Sequence, residues 1–139
     1  MPASQTSSLR PLVQHKTILL VDDDKTTLQL LRKMLQQHGY TVLFAADGET
    51  ALKLFRLHGH PIDLLLCDIV MPRLSGPELA KLVRALRPDI PILFISGLTQ
   101  ETSVKDWIQS GARFLRKPIA QDQLVQHVTA LIGPTVGSA

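Results

Sequence analysis

The sequence is poor in the features that define several protein classes. It holds one cysteine, Cys67, in 139 residues. A single cysteine admits no disulfide framework, and no Cys/His cluster has zinc spacing, so a reducing compartment is expected. Phe, Tyr and Trp make up 4% of the chain, too little for a base-stacking platform. No apolar run approaches the roughly 18 residues of a membrane-spanning helix, and Met1 to Lys16 lacks the apolar centre of a signal peptide. Charge of one sign is scarce as well. The net charge is +3, and the first 16 residues hold Arg10 and Lys16 but no acid, leaving only +1 on the remainder. Lys81, Arg84 and Arg87, and later Arg113, Arg116 and Lys117, read as solvated faces rather than a duplex-binding surface. What remains is one domain's length with 45% hydrophobic and 19% charged residues, ordinary for a globular core.

Residues 1–16, rich in Ser, Gln and Pro, are expected to form a flexible tail, and 133–139 a short C-terminal one. Between them, short apolar runs alternate with helical periods. The expected strands are Ile18–Val21, Tyr40–Phe44, Asp63–Cys67, Ile90–Ile95 and Arg113–Leu115. The expected helices are Lys25–His38, closed by Gly39, then Gly48 to about His58, and a third marked by Leu79, Leu82, Val83 and Leu86 and stopped by Pro88. Two more follow: Gln100–Ser110 with Val104, Trp107 and Ile108 inward, and a last one carrying Leu124, Val128, Leu131 and Ile132. Five β–α units in alternation imply an α/β fold, a parallel sheet with right-handed crossovers. Strands apolar on both sides imply helices over both faces. In such sheets ligands bind beyond the carboxyl ends of the strands.

Those ends carry the chemistry. Asp22, Asp23 and Asp24 follow the first strand, Asp68 the third, Ser96 the fourth and Lys117 the fifth; the second ends in the unreactive Phe44-Ala45-Ala46. Converging carboxylates repel by about 4 kcal/mol per pair at an effective dielectric near 20. Either one is protonated or a cation sits among them. Hard oxygen ligands suit Mg²⁺, and carboxylates, divalent ion, lysine and hydroxyl together can neutralise a transferring phosphoryl group. Neither GxGxxG nor GxxxxGK[ST] is present, so the phosphoryl group is expected on another molecule rather than on a bound nucleotide.

At these positions the sequence resembles the receiver domains of two-component response regulators. The matching residues are Val21-Asp22-Asp23-Asp24, Asp68-Ile69-Val70-Met71-Pro72 with Gly76, Ile95-Ser96-Gly97, and Phe114 ahead of Lys117-Pro118. Each motif alone is weak; four in order, each after its strand, are specific and span Thr17 to Ile132. Met71 to Leu79 and Leu93 to Gly97 are also similar to receivers of hybrid sensor kinases. The resemblance implies a (βα)₅ doubly wound, flavodoxin-like sheet of strand order 2-1-3-4-5. It implies Asp68 as phosphoacceptor, Mg²⁺ held by Asp23, Asp68 and the Val70 carbonyl with Asp22 acting mostly through water, and Lys117 paired with Asp68. Ser96 and Phe114 would be the switch pair, and the Lys117–Pro118 bond would be cis. Phe114 stands where tyrosine is frequent, and Ser96-Gly97 where Thr-Ala is. Val70 and Leu98, both apolar, cannot orient an attacking water, so slow self-dephosphorylation is expected.

The implied protein is a cytoplasmic phosphoacceptor, not an enzyme with substrate turnover although it catalyses its own phosphorylation, a monomer or weak dimer with no direct DNA or membrane binding. Its partners would be a sensor histidine kinase or histidine phosphotransfer protein and a downstream protein target. Two alternatives stand beside it. Asp22-Asp23-Asp24-Lys25-Thr26 also fits the D-x-D-x-T motif of haloacid-dehalogenase-like phosphatases, with Asp22 as nucleophile. A receiver-like module that binds without phosphorylation is the other. More plainly, Asp24 fits a helix N-cap, Cys67 a buried strand residue without redox role, and the five histidines solvent-facing positions without metal spacing.

Overall fold

The structure, a computed structural model, describes residues 15–58, 61–97 and 101–135. The expectations for the stretch before His15, for His60, Leu98 and Gln100, and for 136–139 lie outside the described residues, as does the side chain of His58. Five strands are present: β1 (Thr17–Val21), β2 (Thr41–Ala45), β3 (Ile62–Asp68), β4 (Ile92–Ser96) and β5 (Arg113–Arg116). All pair in parallel, in the order β2-β1-β3-β4-β5. The helices are α1 (Lys25–Gln37), α2 (Gly48–His58), α3 (Gly76–Leu86), α4 (Lys105–Gln109) and α5 (Gln121–Ile132). This is the doubly wound arrangement the alternating pattern implies. β2 and β4 start one and two residues later than their apolar runs, since Tyr40 and Ile90 pack as buried residues just ahead of the ladders.

Alternate strand residues point to opposite faces, and both faces are apolar. Leu19 and Val21 join Leu65, Cys67 and Phe94 in the core beneath Ala51 and Phe55 of α2 and Leu79 and Val83 of α3. Ile18 and Leu20 join Leu64, Leu66 and Ile95 beneath Leu28, Leu31 and Leu35 of α1 and Leu124 and Val128 of α5. The β1–β3 register slips at one point, between Thr17 and Ile18. There the Asp63 carboxylate accepts a 2.8 Å hydrogen bond from the Thr17 N–H, replacing the interrupted ladder.

The helix starts follow from side chains. Asp24 caps α1, accepting from Thr26 N at 3.1 Å and Thr27 Oγ1 at 2.8 Å. Ser75 and Glu78 form a reciprocal capping box on α3. Gly76, the first residue of α3, donates its N–H to the Ile69 carbonyl at 2.9 Å. It approaches β3 so closely that a Cβ would stand 2.2 Å from the Asp68 carbonyl oxygen.

Three expectations are corrected. The single helix over Gln100–Ser110 is a 3₁₀ turn, Glu101–Val104, followed by the short α4. The tighter turn changes the phase of the helix, so Val104 is buried and Trp107 half-buried, but Ile108 is 39% exposed. Arg84 and Arg87 are not a solvated face: Arg84 donates to the Ile90 carbonyl at 2.7 Å and lies over the Trp107 ring, and Arg87 donates to the Ile62 carbonyl. His38 and His127 are half-buried rather than solvent-facing. Beyond α5, the Thr135 hydroxyl donates to the His38 carbonyl at 2.7 Å and the Tyr40 hydroxyl to the Gly133 carbonyl at 3.0 Å, so packed contacts continue past Ile132. The contact at Gly76 makes a direct prediction: Gly76→Ala lowers stability by about 1–3 kcal/mol, because α3 must retreat from β3. A urea titration showing a midpoint unchanged from wild type contradicts it.

Candidate functional site

The crossovers bring the carboxyl ends of β1, β3, β4 and β5 to one edge, and the singled-out side chains meet there. Asp22 follows β1 directly, its N–H held by the Ala45 carbonyl at 3.2 Å, and is fully buried. Its Oδ1 accepts from the Asp24 N–H at 2.9 Å. Its buried Oδ2 receives no well-formed hydrogen bond, although Nζ of Lys117 stands 2.8 Å away as an ion partner. Asp68 ends β3 and is 6% exposed; Lys117 Nζ donates to its Oδ2 at 3.4 Å. Asp23 is exposed, and oxygens of Asp22, Asp23 and Asp68 all lie within 4.8 Å of one another.

Lys117 is carried by the end of β5, where its N–H donates to the Ser96 carbonyl at 2.8 Å and its bond to Pro118 is cis. Ser96, the last residue of β4, is buried in register with Arg116. Phe114 is in register with Phe94, half-buried on the sheet face where Phe94 meets Trp107 edge-on at 5.8 Å. Ser96, two residues beyond Phe94, shares that face. Val70 lies just past Ile69, whose N–H donates to the Ile95 carbonyl at 2.9 Å, and its side chain is exposed.

The electrostatics follow from this crowding. Burial, and after it the charge of Asp22, pushes the Asp68 carboxyl up to about 6 against the opposing pull of Lys117. Burial works against the Lys117 ammonium, yet the carboxylates of Asp22 and Asp68 outweigh it and hold its pKa above the ordinary lysine value. Burial raises the Cys67 thiol far above its usual range, with Asp68 and Asp22 adding to it, so this neighbour stays protonated. Three carboxylates face one ammonium, and one buried oxygen lacks a hydrogen bond. That donor set fits a divalent cation with hard oxygen ligands.

Six of the seven sequence-derived site residues thus stand at or beside one edge, and Phe114 lies inward of it on the face that Ser96 shares. The resemblance paired Lys117 with Asp68 and not with Asp22; the structure puts the ammonium nearer Asp22, at 2.8 Å against 3.4 Å. Linear spacing cannot rank two carboxylates that only the fold brings together.

The sequence pattern of the family described as "Response regulator receiver domain" matches residues 18–129. The chain is 34% identical over 118 residues to the sensor kinase CckA of Brucella abortus, covering 84% of this chain and 12% of that protein. It is 35% identical over 119 residues to the response regulator MprA of Mycobacterium ulcerans, covering 85% and 50%. It therefore spans half of one relative's length and far less of the other's. Among solved structures, the CheX–CheY–BeF3–Mg complex from Borrelia burgdorferi contains a chain similar to it, with a TM-score of 0.77 and 30% identity over 83% of this chain and 87% of that one. None of these likenesses supports the phosphatase alternative. By its sequence pattern, its strand order and its relatives, this chain belongs to the response regulator receiver-domain family.

Proposed function

We propose that this receiver domain, a phosphoryl-accepting signalling switch by family, takes its phosphoryl group on Asp68 from a phosphohistidine of a sensor kinase or phosphotransfer protein. The observation that carries this reading is the convergence of Asp22, Asp23 and Asp68 within 4.8 Å, with Lys117 between two of them. Asp22, Asp23, Asp68 and the Val70 carbonyl would hold Mg²⁺, which when bound supplies positive charge to the phosphoryl oxygens.

The chain's own groups do the rest. A carboxylate oxygen of Asp68 attacks phosphorus, the P–N bond breaks, and its electron pair leaves with the partner's imidazole, giving an acyl phosphate. Lys117, already shared between Asp22 and Asp68, stays with Asp22 and offers its remaining protons to a phosphoryl oxygen. Ser96 supplies a neutral hydroxyl donor from the neighbouring strand end. Movement of Ser96 toward the phosphoryl group opens space on the face it shares with Phe114. A rotamer change of Phe114 then alters the surface around α4, β5 and α5 that a downstream protein reads. Phe114 has no phenolic hydroxyl, so packing alone separates its two states. No substrate other than the donor is turned over. We place the chain in the cytoplasm as a monomer or weak dimer that binds neither DNA nor membrane. The similar Borrelia burgdorferi CheY chain, whose solved complex contains BeF3 and Mg, supports the Mg²⁺ part of this reading.

Treatment with a small phosphodonor and Mg²⁺ should add one phosphoryl group, mapped by mass spectrometry to Asp68 and lost in Asp68→Asn; a label on Asp22, or none, overturns the assignment. The phosphorylated form should outlast seconds without a phosphatase, since exposed, apolar Val70 cannot orient water; decay of the label within seconds contradicts this. A third expectation concerns stability without Mg²⁺. The Asp68 pKa, raised from an ordinary 3.8 to about 6, means the fold prefers this carboxyl protonated. The associated stability is present below pH 3.8 and is lost as pH rises through 6. At pH 7.5 in chelator, Asp68→Asn should therefore raise the melting temperature by a few degrees, about 1–2 kcal/mol after the lost Lys117 contact. Added Mg²⁺ should stabilise wild type more than the variant.

A further inference from the structure

Residues 70–75 of the loop between β3 and α3 are fastened at two points. At its end, Gly76 lies against the Asp68 carbonyl and bonds to Ile69. At its crest, Leu74 lies on Gly48, the first residue of α2. Gly48 is buried, and a Cβ there would stand 2.9 Å from both Cβ and Cδ2 of Leu74 and 3.0 Å from its Cγ. Contact with Cδ2 could be relieved by a change of rotamer. Contact with Leu74 Cβ cannot, because that atom moves only with the loop backbone. Gly48 itself is fixed: Asp47 caps α2, accepting from Thr50 N at 2.7 Å and Thr50 Oγ1 at 3.0 Å.

The loop has little freedom to absorb a push. Leu74 N–H donates to the Pro72 carbonyl at 2.8 Å, and Leu74 packs against the core. Arg73 sits at φ 68°, a conformation sparsely used by residues with a side chain, and its Nε is 3.5 Å from Glu49 Oε1 on the same turn of α2. The crest is thus tied to the start of α2 by one apolar and one ionic contact, and the loop's first residues lead straight from Asp68.

We propose that Gly48 is a positioning residue for the phosphoacceptor site: its missing side chain seats Leu74, and Leu74 sets the 70–75 loop that joins Asp68 and Val70 to α3. This rests on the reading of the acidic cluster as a Mg²⁺ site. In Gly48→Ala the loop backbone is displaced while both halves of the core stay packed. The test is Mg²⁺ affinity, followed by Trp107 fluorescence and by calorimetry well below the melting temperature, with urea midpoints measured in parallel. Gly48→Ala should weaken Mg²⁺ binding about tenfold, the scale of losing a group that orients metal ligands from behind. In a Leu74→Gly background, which already lacks the opposing atoms, the same substitution should cost nothing further. Wild-type affinity in Gly48→Ala, or an equal loss in both backgrounds, overturns the proposal. Should Gly48→Ala not fold, Leu74→Gly alone decides, and Mg²⁺ affinity equal to wild type overturns it. A wild-type chain that binds no Mg²⁺ instead refutes the underlying site, a result that no comparison of variants could imitate.

Discussion

Mutual repulsion among Asp22, Asp23 and Asp68 is the constraint around which the rest is arranged. Their oxygens lie within 4.8 Å of one another, and one ammonium, from Lys117, offsets them. At this spacing each like-charged pair opposes folding by a few kcal/mol, a large share of the 5–15 kcal/mol, roughly, that a domain has in hand. The protein tolerates the cluster because its surroundings are rigid. Asp22 and Asp68 continue the central strands β1 and β3, whose side chains are buried on both faces. A sheet end can hold charges close together where a loop would spread them apart. Lys117 reaches in from the edge strand, so the counter-charge comes from a separate element that can exchange one oxygen partner for another.

That division matters for a switch. The acids follow β1 and β3, and the groups proposed to answer them, Ser96 and Lys117, stand at the ends of β4 and β5. In the proposed switch, a charge added at Asp68 changes the electrostatic balance at the end of β3, and the response falls on the next two strands. The raised Asp68 carboxyl and the buried Asp22 oxygen without a hydrogen bond are two signs of one imbalance, and extra positive charge relieves both.

The sequence revealed the architecture because its signals were local and repeated. Apolar runs such as Ile18–Val21 and Leu64–Cys67 are strands on both-faces-buried grounds alone, and Gly39 and Pro88 punctuate the helices that follow and precede them. The site was legible because its residues stand directly after those runs. What could not be read depended on packing between distant segments. Ile108 moved outward because a 3₁₀ turn precedes α4, and no residue pattern announces that turn. Arg84 and Arg87 look solvated by spacing, yet they find carbonyl partners on the neighbouring loop and strand end. Lys117's preference for Asp22, and the contact of Leu74 with Gly48, exist only once segments far apart in the sequence are side by side.

The two-sided core has one more consequence. Phe114, Phe94 and Trp107 lie on one side of the sheet, and Leu115, Leu124 and Val128 on the other. A parallel sheet that is close-packed on both faces is a partition: a rotamer change on one side has no side-chain route to the other. The inner residues of α1, over the far side, can therefore vary so long as volume is kept, with the effect felt as stability alone. In the proposed switch the near side has two duties, holding the fold and carrying the conformational message, and its residues answer to both at once. In this domain, then, tolerance to change should divide by sheet face rather than by distance from Asp68.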